Sequence, residues 1–577
     1  MIINWNGRLG GRVSAALVAV TSMAALMAGG PQAVAAAGEG LFAPIADPAR
    51  YKLFAREVDS SITGTPRSVI ESAEATGAVQ RVSALSVAQT GGRIGRALCH
   101  DVPINPLYKY NGFCWNTADD ATDAWNNGWH NQGLTLSHDA DPSGTIDGHH
   151  LVMATWYKGE GDVRGVRGRI SILESTGTSW TYGHVMLVKP TGSRFNPGFT
   201  PVTDFHGDGM TWYGDRLFVA NGGEVQIYDL NHLWKMSSLS PTGMGISGTT
   251  SAAEGHQWAL PMIARYSNRT FDEQKAAANK SNQYCDGDIA CLSALSLDRS
   301  GSGSPRLVSA RHSTVANKPV VRWRADDFVE SSTGTVTAEA AFTSPVVKMQ
   351  GVATDGTDYY ITGNCPTGYL AAYDDTVHPY FCIWEAKPNG TASVLTRAPH
   401  VTQNLSYSQS SGRLWGMSEY RNDRVVFSLR PQEDDGHQYL YNEYSKLCAG
   451  IGSKLDWSTP VIQWGCNNAQ DERWLLQGTK DNNGNPAYFL RNVMSNQCMG
   501  TGNSLTNGDK IIQYPCNGAV DEKWWYHPIT GTLQNVYSGK CLALGSAATK
   551  GSTLIQWTCN GAQDERWGIS ATAPDVP

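Results

Sequence analysis

The sequence predicts an all-β chain in two parts, a β-propeller of about five blades followed by a closed three-fold β object. Two recurring patterns and one absence predict it. Between Cys99 and about Arg430 a strand, tight turn, strand unit recurs five times, in the last quarter a cysteine and tryptophan register recurs three times, and long helical periodicity is missing. With 61 glycines, 19 tryptophans and 23 tyrosines in 577 residues, the composition is that of a large, turn-rich, aromatic β protein.

At the front, Arg8 and Arg12 precede an apolar, alanine-rich run from Val13 to Met27, followed by Gly-Gly-Pro and the small residues of AVAAAGEG. This is the pattern of a secretory signal peptide, residues 1–37, cut near Ala37; the apolar run is too short for a membrane anchor. A secreted, extracellular protein is expected, with no membrane partner. Residues 38–98 carry little pattern and read as a short helix, an N-terminal extension or a propeptide.

The propeller is expected over residues 99–430. Its units are NQGLTLSHD with HHLVMATWY, GDGMTWYG with DRLFVANG, CLSALSLDRSGS with PRLVSARHS, MQGVATDG with TDYYITGN, and QNLSYSQSSG with RLWGMSEY. Each pairs a segment opening on a small residue with a second apolar segment, which reads as a hairpin. Runs such as GRISILES, EVQIYDL and RVVFSLR supply further strands. Successive units begin roughly 55 to 85 residues apart, wide for a four-stranded blade but feasible with long loops. Six or seven blades, or a pair of β-sandwiches, are the alternatives; sandwiches do not predict the recurring inner hairpin.

In a propeller the first residues of the innermost strands converge on a central channel. That places Gln132, Asp208, Gln350 and Gln403 at one mouth, with Trp129, His130 and His206 just before them. Asp208 stands between two glycines in FHGDGMTW, which lets a ligand approach the backbone, and His206 shares its face if the strand is extended. The competing reading is an Asp that only supports a Gly-rich turn. Asp119, Asp120 and Asp123 in CWNTADDATDAW lie among Trp115, Trp125 and Trp129, as in a sugar subsite, and equally as in a calcium-binding or N-capping loop. Glu419 ends the second strand of the last unit and Glu385 follows Cys382 in FCIWEAK; each reads more often as a solvated strand-end charge.

Asp208, His206, Asp120 and Glu419 are the candidate catalytic residues, because glycoside cleavage needs two carboxyl groups facing one bond. The front architecture is loosely similar to five-bladed propeller glycosidases, which place such acids at the channel mouth, although none of their sequence motifs is matched. No G-x-S-x-G elbow and no H-E-x-x-H motif occurs, which disfavours a serine hydrolase and excludes a zincin. No cofactor and no catalytic metal are expected; a structural calcium is the one ion considered.

A short polar linker, residues 431–436, precedes the three repeats, so the two domains are expected to touch. Cys448 to Cys466, Cys498 to Cys516 and Cys541 to Cys559 are each eighteen residues apart, and Trp474, Trp524 and Trp567 follow eight residues after the second cysteine. Leu440, Leu490 and Leu533 precede the first cysteine by eight, with Asn442, Asn492 and Asn535 two residues later. Such a unit cannot bury its apolar face alone, so three copies close on each other.

The strings VIQWGCNNAQDERW, IIQYPCNGAVDEKW and LIQWTCNGAQDERW resemble the Q-x-W repeats of the ricin-type lectin β-trefoil, with glutamate in place of glutamine, over residues 437–572. The resemblance implies that Trp464, Tyr514 and Trp557 stack on sugar rings and that Asp471, Asp521 and Asp564 accept hydrogen bonds from sugar hydroxyls. The family's usual sugar-gripping aspartate is replaced by Gly450, Gly500 and Ala543, and its glutamine is shifted by one position to Gln463, Gln513 and Gln556, which in a strand turns the side chain to the other face. Binding is therefore expected to be weakened or relocated. Trp474, Trp524 and Trp567 are expected in the core. Residues 573–577 form a tail.

Twelve cysteines in a secreted chain read as disulfides between near neighbours: Cys99 with Cys114, Cys285 with Cys291, Cys365 with Cys382, and one pair per repeat. No C-x-x-C pair supports zinc. A formal net charge of −7 without basic clusters gives no footprint for nucleic acid and suits a neutral glycan or polysaccharide partner. A monomer is expected. The leading functional reading is a secreted glycoside hydrolase whose trefoil tethers it to its polymer. The alternative is a non-catalytic secreted lectin or adhesin, supported by the glutamines that open three of the blades; a lectin-delivered toxin has no residue pattern behind it.

Overall fold

A computed structural model describes residues 40–570, except 101, 105–107, 109, 161–162, 270–284, 286–287, 367–379, 432–435, 468 and 546. The expected signal peptide 1–37, the tail 573–577 and most of the linker lie outside the described residues.

Five antiparallel blades surround one axis. Blade 1 contains Trp129–Leu136, His150–Glu160, Val163–Ser175 and Trp180–Ser193; blade 2 contains Gly209–Tyr213, Arg216–Asn221, Glu224–Asp229 and Trp258–Ser267. Blade 3 contains Ser296–Asp298, Arg306–Ala310, Lys318–Arg324 and Ala340–Ser344; blade 4 contains Gly351–Thr354, Tyr359–Asn364, Tyr380–Ala386 and Ser393–His400. Blade 5 takes Thr402–Ser408, Arg413–Ser418 and Val425–Leu429, and its fourth strand is Asn111–Cys114 from the other end of the domain. The five inner hairpins are the five units read from the sequence.

The recurring small residue has a steric cause. A Cβ on Gly133 would lie 2.8 Å from the carbonyl carbon of Gly209, one on Gly209 2.1 Å from Leu295 N, and one on Gly351 2.5 Å from Gln403 O. Inner strands of neighbouring blades thus approach around the axis more closely than a side chain allows. The equivalent position in blade 5 is Asn404, which fills the hub: its amide donates to Leu134 O at 2.8 Å, Met210 O at 3.2 Å and Leu295 O at 2.7 Å, and its Oδ1 accepts from Leu295 N at 2.9 Å.

Each seam between blades is an apolar core. Leu151 and Leu217 share one cluster between blades 1 and 2, Phe218 and Trp323 one between 2 and 3, Val320 and Ile361 one between 3 and 4, Ile383 and Leu405 one between 4 and 5, and Trp156 and Val426 one between 5 and 1. Burial of each such side chain contributes about 1.5 to 3 kcal/mol. The ring is closed by the pairing of Val425 with Cys114, by the disulfide Cys99–Cys114, and by Asp120. The Asp120 carboxylate accepts from Arg96 at 2.6 Å, approaches His100 Nε2 at 2.7 Å and accepts from Arg424 N at 3.0 Å, so it clamps the N-terminal strand onto blade 5.

Residues of the extension are integral to the propeller's rim. Lys52–Arg56 pairs with Trp258–Ser267, Ala43–Pro44 pairs with Ala340–Ser344, and Pro66–Ala75 forms a helix capped by Thr65 and Ser68. This segment is hydrogen-bonded into two blades.

The C-terminal part is a β-trefoil. Val461 N donates to Ile511 O, Ile511 N to Leu554 O and Leu554 N to Val461 O, at 2.8, 2.9 and 2.8 Å, a closed three-fold ring. Trp474, Trp524 and Trp567 are fully buried, and their indole N–H groups donate to Ala449 O, Met499 O and Leu542 O, each at 2.9 Å. Asn442, Asn492 and Asn535 donate to the backbone oxygens of Asp564, Asp471 and Asp521, each tying one repeat to the one before it around the ring. All six expected disulfides are formed: Cys99–Cys114, Cys285–Cys291, Cys365–Cys382, Cys448–Cys466, Cys498–Cys516 and Cys541–Cys559. Leu455 of the trefoil packs into the seam of blades 3 and 4, so the two domains touch. Among the described residues no helix is long and apolar enough to cross a membrane.

Candidate functional site

The inner strands begin at one mouth of the channel. The corresponding positions there are Gln132, Asp208, Ser293, Gln350 and Gln403, each one residue before the small hub position. Asp208 accepts from His206 Nδ1 at 2.9 Å through one oxygen and from Gly222 N at 2.8 Å through the other. With a carboxylate as partner, Nδ1 of His206 is the donor of that contact. Asn221 Oδ1 holds the turn by accepting from His206 N at 2.7 Å.

Across the seam, the ring of Tyr157 stacks on His206, and its hydroxyl lies 3.2 Å from His130 Nδ1. His130 Nδ1 is 3.9 Å from Glu419 Oε1, and Gln403 Nε2 donates to Glu419 Oε2 at 2.5 Å. Asp208, His206, Tyr157, His130 and Glu419 therefore form one continuous chain along the mouth. His312 lies on the Asp208 side: burial pushes its pKa down, the Asp208 carboxylate opposes the shift, and Lys348 and His206 add to it.

Two further features mark the mouth. Gln132 is 1% exposed, yet among the described residues neither polar atom of its amide has a partner, a loss of about 1 to 3 kcal/mol that an apolar residue would avoid. Asp204, Lys348 and Val401, just ahead of the inner strands of blades 2, 4 and 5, have φ of 54°, 53° and 48°; for β-branched Val401 this is strained backbone.

Asp120 does not belong to this chain. Its carboxylate is enclosed by Arg96, His100 and the Arg424 backbone, where it closes the ring. Its neighbour Asp119 is likewise committed: despite burial, contacts with His184, Arg169 and Tyr182 hold its pKa far below the ordinary range, and burial pushes His184 down to about 3. Glu385 is not a solvated charge. Burial, with Asp358 nearby, raises its pKa to about 7, opposed by Lys387 and by Arg473 of the trefoil. Tyr157, Ser293, His312 and Lys348 escape a reading confined to the first candidate acids; Tyr157 and His312 lie on or just after the second strands, where the hairpin returns to the same mouth.

On the trefoil, Trp464, Tyr514 and Trp557 are 43%, 38% and 41% exposed, one per repeat. Each lies at a seam with another repeat: Trp457 meets Tyr514 with ring centroids 5.7 Å apart, Gly508 lies beside Trp557 and Gly551 beside Trp464. Gln463, Gln513 and Gln556 are buried and donate to the backbone oxygens of Ala547, Lys454 and Ser504, the inward face that their one-residue shift implies. Asp471 and Asp521 also turn inward, accepting from Ser453 N at 3.2 Å and Asn503 N at 3.1 Å. They brace the loops beneath the aromatics, while Asp564 is half-buried.

No curated protein matches the chain. Among solved structures, a designed three-fold symmetric protein is 22% identical, with TM-score 0.22, over 23% of this chain and 98% of that one. The Polyporus squamosus lectin is 20% identical, with TM-score 0.20, over 23% of this chain and 48% of its own. An exo-beta-1,3-galactanase from Clostridium thermocellum is 12% identical, with TM-score 0.29, over 72% of this chain and 93% of its own. The family model of the ricin-type beta-trefoil lectin domain matches residues 436–567. With its ring of Val461, Ile511 and Leu554 and its three buried tryptophans, this part of the chain is a ricin-type β-trefoil lectin domain.

Proposed function

We propose that the protein is a secreted carbohydrate-active enzyme that cleaves a glycosidic bond at the propeller mouth while the trefoil holds the glycan. The observation that carries this reading is the chain Asp208, His206, Tyr157, His130, Glu419, which brings two carboxyl groups and two imidazoles to one opening. In it, Glu419 exchanges the proton with the glycosidic oxygen, and the Asp208–His206 pair activates the attacking water. Gln132 and Gln403 supply amide groups for sugar hydroxyls. On the trefoil, Trp464, Tyr514 and Trp557 offer flat faces to the C–H side of a sugar, and weak contacts at three lobes keep the mouth near its polymer. The six disulfides are consistent with an extracellular protein.

The test is release of reducing ends from plant, fungal and bacterial polysaccharides by the purified protein, with retention on the same polymers measured in parallel. A second reading, a non-catalytic lectin, is favoured by one observation: both Asp208 oxygens are already engaged, by His206 and by Gly222 N. Retention without release on every polymer selects it.

A further inference from the structure

At the opposite end of the propeller, where the inner strands of blades 1, 3 and 5 run out, His138, Arg299, Tyr407, Gln409 and Ser410 line a cavity of about 270 Å³. Its cation is preorganised. Arg299 Nε and Nη2 donate to Asp139 O at 2.8 and 2.6 Å, and Nη2 donates to Ala140 O at 2.8 Å, so one edge of the guanidinium is fixed by backbone. Among the described residues Arg299 pairs with no carboxylate, and its Nη1 has no hydrogen-bond partner.

The imidazole beside it is set as an acceptor. Asp139 takes the hydroxyl protons of Thr135 at 2.6 Å and Ser406 at 2.8 Å, so its charge is turned inward. Because Ser406 donates to Asp139, His138 Nε2, at 2.7 Å from Ser406 Oγ, is the donor of that contact, and its Nδ1 carries the lone pair. Burial holds the ring neutral. Tyr407 adds an aromatic wall, and exposed Gln409 and Ser410 form a polar rim.

We propose that this cavity binds a small hydroxylated oxyanion, a sugar acid or a sugar phosphate, with Arg299 Nη1 taking the anionic group and His138 Nδ1 accepting from a hydroxyl. The volume suits one sugar unit rather than a chain. This site is separate from the mouth and from the trefoil.

Calorimetric titration of the full-length protein with galacturonate, glucose 1-phosphate and neutral galactose tests it. Saturable binding of at least one anion is expected, weakened about tenfold or more by Arg299→Gln, the loss of one charge-assisted hydrogen bond. The anion that binds tells carboxylate from phosphate. Gln409→Trp, which fills the rim from an exposed position, is expected to block the same binding and keeps the test decisive should Arg299→Gln disturb the backbone it braces. The binding is expected to persist when Trp464, Tyr514 and Trp557 are all replaced by alanine. The proposal is overturned if neither anion binds, if galactose binds the cavity equally well, if Gln409→Trp leaves the affinity unchanged, or if the signal disappears with the trefoil aromatics.

Discussion

The rings of Tyr157 and His206 stack across the seam of blades 1 and 2, with centroids 4.7 Å apart and planes 22° from parallel. The stack joins two strands distant in sequence and leaves the Tyr157 hydroxyl to meet His130. Tyr157→Phe keeps the stack and removes the hydroxyl that meets His130. Release of reducing ends is expected to fall about tenfold or more, with thermal stability within about 1 kcal/mol of the parent. Tyr157→Ala is expected to lose about 3 to 5 kcal/mol as well. Full activity in the phenylalanine variant would take the hydroxyl out of the mechanism.

Asp208→Asn and Glu419→Gln separate cutting from holding. Each substitution preserves shape and removes one charge, and turnover is expected to drop about 10²- to 10⁴-fold. Retention on the polymer is expected to be unchanged, because the trefoil aromatics are untouched. Asp120→Asn should behave differently: it loosens the clamp on Arg96 and the Arg424 backbone, so unfolding shifts to lower temperature before any step of turnover is affected. Loss of turnover at full stability in Asp120→Asn would restore it to the mouth.

The trefoil was legible almost residue by residue because each repeated marker is one local bond repeated. The Asn series ties repeats together, the Trp series donates to a fixed carbonyl, and the cysteines pair within a repeat. The five inner hairpins were legible for a similar reason, since the hub admits only a small residue at Gly133, Gly209 and Gly351. What pairs over long separations was not. Nothing near Asp120 announces that Arg424 N, 304 residues away, is its partner, or that Asn111–Cys114 completes blade 5. Asp471 and Asp521 have the right residue type for a sugar contact, but burial and loop N–H groups decide where their lone pairs go.

The three exposed aromatics and the three buried tryptophans have opposite signatures. Trp464→Ala, Tyr514→Ala and Trp557→Ala are expected to change stability by about 0.5 kcal/mol or less each, as surface substitutions do. Retention on a glycan column is expected to fall with each replacement and to vanish in the triple variant. Trp474→Ala, by contrast, empties a core position and costs about 3 to 5 kcal/mol. Retention that survives the triple variant would move sugar binding off these seams.

Glu385, in the third strand of blade 4, makes folding stability sensitive to pH. Burial raises its folded pKa to about 7 from an ordinary value of 4.5, so between these two values the folded state binds more proton than the unfolded state. Stability therefore falls as pH rises through that window, and the penalty is fully expressed above about pH 7, with an upper bound of about 3 kcal/mol. Glu385→Gln removes the charge and is expected to raise the unfolding temperature at pH 8 while changing it little at pH 4.5. Calorimetry of both proteins at the two pH values reads the difference; an equal shift at both would assign the effect to packing instead.

Asn404 replaces at one blade what glycine or alanine supplies at the others, and its amide is the only side chain among the described residues to bond the backbones of three other inner strands. Asn404→Ala leaves three carbonyl oxygens and the Leu295 N–H without that partner in a buried hub, and is expected to cost about 3 to 5 kcal/mol. Asn404→Asp is nearly isosteric but aims a carboxylate oxygen at carbonyls that need a donor, so it is expected to destabilise the propeller at least as much. Denaturant unfolding followed by tryptophan fluorescence measures both. If the alanine variant stayed within about 1 kcal/mol of the parent, the five blades would be held by their apolar seams alone, and the polar plug at the axis would be incidental to closure.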